Sequence, residues 1–579
     1  MNLLPPGSGL SQSGLLFLFI ILILGLWIFV KIAQKRQHEA GRLKTFFLGG
    51  ANIGPEFTEH NTLGTTFAWS GGTWFFVTVA YSNGPWVVLL QLPWCFSIIL
   101  LALWFRRILP ATRNRTLHGF LASRYGAKTQ ALGALATSIG YIINSGFEIF
   151  WGSLLFATSL SRPDLIVPVA FLLAILTGLY CSIGGYISNV KTDKVQNLLG
   201  VVALALLLFF VILRTPFSKY VTSASIIFII GSVVYVLLSS MLPRYPKLQS
   251  NRFQSRTAII FAIIAIVVAV LLWIGGVITE TDKADSFLLK SSLLPIPLLV
   301  GLLSFQLFFN AIDMSNWQQI AANGDIAPEQ HNSIKWSIIR ASLYLLWFPA
   351  LGGTLLGCTL RALSSELTSA NIFAYAFNQV IPSGGQVLRG LVLGFIFLGF
   401  IATSLSTADT LLMSATQTLS YDIFWRKRLN KLLANELNIQ DEYSFVNTAK
   451  KLLIPIALLM VGVFWLLYIS YKGEVLNFQA MMYAWALSLF FPVFFAFYQP
   501  RKAEKNSIAV FWGIAVGLTA VTFMFFLALR KGIPTTEKDW LLNLMPIVSN
   551  GTSLIAYLIG IAIRRIFRER LTIASEGSK

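Results

Sequence analysis

Residues Gly399–Phe424 read GFIATSLSTADTLLMSATQTLSYDIF, and the first half of this stretch lies in one of the most apolar parts of the chain. Thr403, Ser406, Thr407, Thr410 and Ser414 recur in it at helical spacing. At about 100° per residue they fall within an arc of roughly 100° on one helix face. A helix in hydrocarbon that carries a stripe of hydroxyls, with Asp409 beside it, must satisfy those groups internally, because polar atoms away from water are costly. Two readings follow. Ser and Thr in spanning helices bond their own i−4 carbonyl or a neighbouring helix; alternatively, the hydroxyls supply hard oxygen ligands to an ion. The stripe alone leaves both open.

Working outward, the whole chain supports hydrocarbon as its solvent. Its 579 residues are 56% hydrophobic and 12% charged, with mean hydropathy +0.70, whereas soluble domains are about 25% charged. Apolar runs long enough to span a bilayer recur along its length. They predict fifteen helices, at 13–34, 60–81, 84–108, 128–160, 164–184, 190–213, 223–243, 257–278, 292–312, 334–359, 386–412, 450–470, 475–498, 507–529 and 541–563. The 46 Phe and 16 Trp suit lipid-facing and interfacial positions. The fold class is therefore an all-α polytopic protein of a cell membrane, plasma or bacterial inner. The first run, GLLFLFIILILGLWIFV, follows no basic segment and precedes no small-residue cleavage site, so it reads as a retained helix and not a signal peptide.

The formal net charge of +20 belongs to topology and not to nucleic acid. Lys and Arg cluster in alternate loops, such as KIAQKRQHEAGRLK (31–44) and RYPKLQSNRFQSR (244–256). By the positive-inside rule these loops are cytoplasmic. The N-terminus is then outside and, with an odd helix count, the C-terminus inside. Cys95, Cys181 and Cys358 all sit in apolar segments, which argues against a disulfide framework or a metal cluster. No GxxxxGK[ST] pattern occurs, so ATP is not the expected energy source. The four His residues form no ligand cluster, and GFIATSLS is apolar helix and not a nucleophile elbow. An enzyme is not expected.

Two of the spans are poor hydrocarbon. The second has Ser70-Gly71-Gly72 at its centre, and the ninth ends in FNAIDMSN (309–316). Each opens a block of five helices, 60–213 and 292–498. An odd number of helices per block makes the two run in opposite directions, which is the pattern of inverted-repeat transporters whose sites form at discontinuous helices. The organisation expected is an additional N-terminal helix in 1–45, a first repeat in 46–214, an inserted two-helix hairpin in 215–285, a second repeat in 286–500, and two helices with a cytoplasmic tail in 501–579.

Six motifs in order resemble the sodium:solute symporter family, which includes bacterial proline and sugar symporters and the sodium/glucose cotransporters. They are FFLGGANIGPE (46–56), FAWSGGTWFFVTVAYSNG (67–84), LHGFLASRYG (117–126), GLYCSIGGYISNVKTDKVQ (178–196), FNAIDMSNWQQIAA (309–322) and SLSTADTLLMSATQTLSYDIF (404–424). The Gly-Gly followed by Thr-Asp-x-x-Gln is the most specific. The resemblance spans about 45–425 and implies a LeuT-type fold of two inverted five-helix repeats. It departs from the family in three places. Two apolar segments separate the repeats where the family has a loop, Gln318-Gln319 stands for the family's Gln-Arg, and Ala68 stands where some members carry Asp or Asn.

The resemblance also implies roles. Na+ would be held by the Ser406 and Thr407 side chains and by backbone carbonyls of Thr66, Trp69 and Thr403. Asp193 would stand on the ion's exit path; a helix-capping role beside Lys191 and Lys194 is the alternative. Ser70 and Thr73, flanking the glycine pair, and the deep carboxylates Glu148 and Asp313 are candidates for substrate contact. Asp313 can equally serve a backbone amide in the break. Two buried acids would suit a positively charged substrate or act as proton carriers. Asp409 reads as structural. The expected activity is symport of Na+, the co-transported ion, with a small polar organic solute. The rivals are a proton-coupled transporter using Glu148 or Asp313, and a transporter-like sensor.

Overall fold

The structure is a computed structural model that describes residues 17–31 in part, 43–67, 72–112, 116–159, 162–213, 219–241, 251–278, 294–364, 367, 372–378, 386–425, 439–470, 482–530 and 540–576. Every regular element among them is helical. Among the described residues ten helices are long and apolar enough to cross a membrane, and Ser223–Ser239 and Ala484–Tyr498 are shorter apolar helices. Most of the expected first span, and residues 242–250, which include 244–250 of the basic loop, lie outside the described residues.

The two weak spans are broken where the sequence is polar. A short helix α1 (Leu43–Leu48) leads to α2 (Pro55–Thr66). Gly54, at φ 85°, turns the chain, and Pro55 suits the first helical position, where no backbone N–H is needed. The last α-type bond of α2, from the Phe67 N–H to the Leu63 carbonyl, is 2.6 Å long. The chain resumes as α3 (Trp74–Asn83), which stops at Gly84 in a positive-φ conformation. The second break separates α10 (Ile296–Phe308), with one 3-10 turn added, from α11 (Met314–Ala321).

Around these run α4 (Leu92–Ala111), the short α5 (Leu117–Tyr125), α6 (Ala127–Ser159) and α7 (Ile166–Ile212). Helix α7 covers two expected spans in one run of 47 residues. A straight helix of that length would reach about 70 Å, more than twice the ~30 Å hydrocarbon core. Gly185, at φ 60° and ψ −160°, breaks the run between the two expected spans. A Cβ there would lie 2.7 Å from the Phe46 carbonyl oxygen of α1, so the corner needs glycine for both conformation and space.

The two helices expected as an inserted hairpin are α8 (Lys219–Met241) and α9 (Asn251–Ile278). It is packed into the body: α9 lies on α12 (His331–Leu345), and Phe228 stacks on Trp347. A wide π-type turn at Leu346–Gly352, where Pro349 lacks an N–H, joins α12 to α13 (Gly353–Leu363). The hydroxyl-bearing helix is α14 (Gln386–Thr418). It sits centrally, against α2, α6, α7 and α15 (Ile439–Ser470). Helices α16 (Phe490–Tyr498), α17 (Ser507–Arg530) and α18 (Met545–Glu576) complete the bundle. Leu103, Phe209, Ile260, Leu271 and Phe523 stay exposed on the outer faces, as expected of a surface solvated by lipid.

Candidate functional site

The five hydroxyls of α14 divide by partner. Thr403 and Thr410 donate within their own helix, to the Phe400 carbonyl at 3.1 Å and the Ser406 carbonyl at 3.1 Å. Ser414 donates to Gln318 Oε1 of α11 at 2.7 Å. Ser406 and Thr407 reach elsewhere: Ser406 Oγ donates to Asp193 Oδ1 at 2.6 Å, and Thr407 Oγ1 donates to the Gly64 carbonyl of α2 at 2.9 Å. All five are buried. All five thus make bonds within their own helix or to a neighbouring one, and Ser406 and Thr407 are the pair that meets α7 and α2.

The Ser406–Thr407 junction collects oxygen around the carbonyl end of α2. The last carbonyls of a helix have no intrahelical donor and carry the negative end of its dipole. Thr66 is the last residue of α2, and a Cβ on Gly72 would lie 2.9 Å from its carbonyl oxygen, so the resuming chain folds tightly over it. The contact between α2 and α14 is close: a Cβ on Gly64 would lie 2.4 Å from Ser406 Oγ. A hydroxyl that gives its proton to a carboxylate or carbonyl keeps its lone pairs for a cation. Trp69 and Ser70 lie outside the described residues.

Asp193 is fully buried inside α7 and does not cap a helix. Besides Ser406 it accepts from Asn61 Nδ2 at 2.7 Å, and Tyr186 donates to Asn61 Oδ1 at 3.0 Å. The carboxylate thus ties together α2, α7 and α14. Asp409, one turn along α14 and also fully buried, accepts from the Tyr180 hydroxyl and from Thr410 Oγ1. Asn61, Tyr180 and Tyr186 were missed from sequence. The only available signal was that α2 is unusually polar for a buried helix, with Thr58, His60, Asn61 and Thr62 all buried.

Beyond the junction lies a cavity of about 90 Å³. Thr66 and Thr407 form its edge on the side of the junction, and Glu148 and Asn144 of α6 supply part of its polar wall. Thr65, Gln91 and Gln306 line it as well, and neither glutamine was anticipated. Gln91 Nε2, Gln306 Oε1 and Trp94 Nε1, all buried, have no hydrogen-bond partner.

The other sequence candidates stand apart. Thr73 is buried against α13, where a Cβ on Gly353 would lie 2.8 Å from its carbonyl oxygen, and it does not line the cavity. Asp313 is the N-cap of α11: its Oδ1 accepts from the Ser315 N–H at 2.9 Å and from the Tyr141 hydroxyl at 2.6 Å, and its Oδ2 accepts from Ser315 Oγ at 2.6 Å. Its oxygens thus serve the break itself, and it too stands outside the cavity lining. Gln318 Nε2 donates to the Phe47 carbonyl at 2.8 Å and Gln319 Nε2 to the Thr58 carbonyl at 2.6 Å, so this pair stitches α11 to α1 and α2.

Residues 46–227 match the model of the sodium:solute symporter family. Among solved structures, a Na+-coupled sialic acid symporter in a substrate-bound outward-open state matches with a TM-score of 0.64. That match covers 94% of this chain and 97% of that one at 14% identity. A nucleobase-cation-symport-1 family transporter, closed with bromovinylhydantoin bound, matches over 90% of this chain and 93% of that one, with a TM-score of 0.44 and 11% identity. Comparison with curated proteins gives no match. The first structural likeness establishes a shared fold, that of the LeuT-type transporters.

Proposed function

We propose that this chain, matched over residues 46–227 by the sodium:solute symporter family, is a secondary active transporter that carries Na+ down its gradient together with a small polar organic solute. The observation that carries the reading is the junction of Ser406 and Thr407 with the carbonyl end of the broken helix α2. Na+ is a hard cation that takes oxygen ligands. Hydroxyls from α14 and freed carbonyls from α2 offer them without a full charge at the first contact. Thr403 and Thr66 would add carbonyls, and Trp69 a further one.

Asp193 sits immediately behind Ser406 and draws the ion further along the same path. With the basic loops inside, this path leads to the cytoplasm. Thr66 and Thr407 belong both to the ion junction and to the cavity wall, so solute in the cavity and Na+ at the junction share residues. Shared residues give the two ligands a direct route to reciprocal coupling. The repeats assigned to 46–214 and 286–500 each begin with a broken helix, α2–α3 and α10–α11, and rocking one set of helices against the other would expose the cavity alternately to each side. Each positive charge carried inward gains about 2.3 kcal/mol per 100 mV of membrane potential.

The test is binding of radioactive sodium to the purified protein, followed by uptake in proteoliposomes under imposed Na+ or H+ gradients. Ser406→Ala with Thr407→Ala should leave the helix formed, since Ala is the best helix former. The Na+ concentration for half-saturation should rise about tenfold or more, as expected from losing roughly 1.5 kcal/mol or more of charge-assisted contacts. Unchanged sodium binding in the double variant, or uptake driven by H+ alone, overturns the proposal.

A further inference from the structure

The first broken helix has a companion that runs beside it in step. Helix α12, the wide turn at Leu346–Gly352 and α13 follow α2, its break and α3. Glu59 Oε2 meets Arg340 Nε at 2.6 Å, 281 residues away. Phe67, where α2 stops, lies 5.9 Å ring to ring from Phe348 in the turn. A Cβ on Gly72 would lie 3.6 Å from Pro349 Cβ. Further along, a Cβ on Gly353 would lie 2.8 Å from the Thr73 carbonyl oxygen, and one on Gly357 would strike the Val77 carbonyl. Arg361 Nη1 then donates to the Tyr81 carbonyl at 2.5 Å, 280 residues away. An offset that stays near 280 from end to end means that the two chains lie parallel and in register. The break in one therefore stands level with the turn in the other.

The two sides of that level are fastened differently. On the outer side Gly353, Gly357 and Arg361 share one face of α13 at helical spacing. The glycines let the two backbones touch. Arg361 also donates to the Ser82 carbonyl at 2.8 Å, so it occupies the last carbonyls of α3, which have no donor within the helix. The Tyr81 hydroxyl donates to the Ser364 carbonyl at 2.8 Å. Helices α3 and α13 thus make one rod. On the inner side α2 and α12 meet at a polar clasp beside a cavity of about 320 Å³. Arg340 there holds Glu59, Ser337 Oγ at 2.9 Å and, on the added helix α9, Asn251 Oδ1 at 3.2 Å. Asn251 Nδ2 returns a bond to Ser333 Oγ of α12 at 2.5 Å. Between the two sides, the turn is π-type and contains Pro349, which has no N–H to give; both are features at which helices bend. The opposite face of α2 meets α7 and α14 through Asn61–Asp193, Asn197 on the His60 carbonyl, and Thr407 on the Gly64 carbonyl.

On the symport reading, we propose that the inner halves α2 and α12, joined at Glu59–Arg340 and fastened to α9 through Asn251, swing as one gate about the turn at Leu346–Gly352, level with the end of α2 at Phe67, while α3 and α13 stay in place. Na+ between α2 and α14 holds the gate shut, and its departure shifts the population toward the open position on the side of the basic loops. The 15 residues of α12 make a lever of about 22 Å, so a rotation of about 15°, the scale of known domain rotations, carries its end about 6 Å.

The experiment measures spin-label distances in the full chain in proteoliposomes, in Na+ and with K+ in its place. The native cysteines are buried, and the labelled positions are exposed. Lys128→Cys with Asn332→Cys reads the gate against α6. Glu56→Cys with Asn332→Cys reads the clasp; it removes the partly exposed ion pair of Glu56 with Lys194, whose loss costs little. Leu213→Cys with Ala362→Cys reads the outer rod against α7. Without Na+ the first distance should lengthen by the amount just given, while the second and third hold. Arg340→Met should let the clasp distance spread, and Arg340→Lys, which keeps the charge, should hold it. A shift of the outer pair together with the gate pair overturns the hinge and leaves symport standing, because the two chains would then rock as whole rods. A clasp distance that changes in the parent, or a gate distance that stays fixed while radioactive sodium binds, also overturns it. A gate that visits both distances equally in Na+ and K+ keeps the hinge and sinks the symport reading.

Discussion

Gly64→Ala tests the ion junction without removing any proposed ligand atom. Gly64 lies on α2, and the Cβ added there would stand 2.4 Å from Ser406 Oγ and 3.2 Å from Asn197 Oδ1. The first distance is untenable, so α2 and α14 must part or the Ser406 hydroxyl must swing away from Asp193. Overpacking of this kind costs about 1–3 kcal/mol. Replacing a helical glycine by alanine returns about 1 kcal/mol of helix propensity. The net loss of stability is then about 0–2 kcal/mol, and the protein should fold and insert. The distortion itself falls on the hydroxyl that is proposed to hold Na+. If the whole overpacking cost is expressed when the junction closes on the ion, Na+ binding weakens roughly fivefold to 150-fold.

The assay is half-saturation by radioactive sodium with the purified protein, repeated in a double-mutant cycle with Ser406→Gly. Removing the Ser406 side chain removes the atom that the new methyl strikes. Gly64→Ala should therefore cost Na+ binding much less in the Ser406→Gly background, with a coupling of about 0.5–3 kcal/mol, as found for residues in contact. A folded Gly64→Ala protein with the parent's sodium affinity refutes the reasoning. A strictly additive cycle refutes it too, because the effect would then not pass through Ser406.

Two other substitutions separate scaffold from site. Asp313→Asn should keep the cap of α11, since Asn and Asp cap about equally well, and should keep solute affinity; Asp313→Ala should lower stability by about 0.5–2 kcal/mol through the lost cap. A changed solute affinity in Asp313→Asn would place that residue in the binding site instead. Arg340 is 1% exposed and its Nε lies 2.6 Å from Glu59 Oε2, so it pins α12 to α2; Arg340→Met should cost about 1–3 kcal/mol by leaving that half-buried carboxylate without its cation. Adding Glu59→Met should recover most of the loss in thermal melting, and failure to recover would mean that packing, not charge, holds the contact.

Much of the architecture was legible because hydrocarbon imposes a simple code. A helix must be long and apolar to span, and the two stretches that violate the code, Ser70-Gly71-Gly72 and Phe309–Asn316, flank the breaks between α2 and α3 and between α10 and α11. The code says nothing about how two helices meet at a corner. Residues 164–184 and 190–213 read as two spans, and the backbone joins them within α7 through a single non-helical residue, Gly185. The π-type turn at Leu346–Gly352 is likewise invisible in hydropathy, because its residues are as apolar as those of any spanning helix.

The site was legible only along its own helix. Spacing placed Ser406 and Thr407 on one face of α14, but spacing cannot say which of five hydroxyls turns inward on its own carbonyls and which crosses to another helix. That choice depends on pairs far apart in the chain. Ser406 meets Asp193 across 213 residues and Thr407 meets Gly64 across 343. No periodicity links positions at such separation. Gln91 and Gln306 were harder still, being single polar residues in apolar runs with no motif around them. Asp193 shows the difference most plainly. Its motif marks it as a residue of the family pattern, and a carboxylate beside two lysines reads equally well as a helix cap. Its position excludes the cap: Asp193 lies within helical backbone well past the break at Gly185, and its oxygens accept from Asn61 and Ser406. A carboxylate placed there polarises the very hydroxyl proposed to receive the ion. On the proposed reading Asp193 then serves twice, supporting the Na+ site through Ser406 and drawing the ion onward along the exit path.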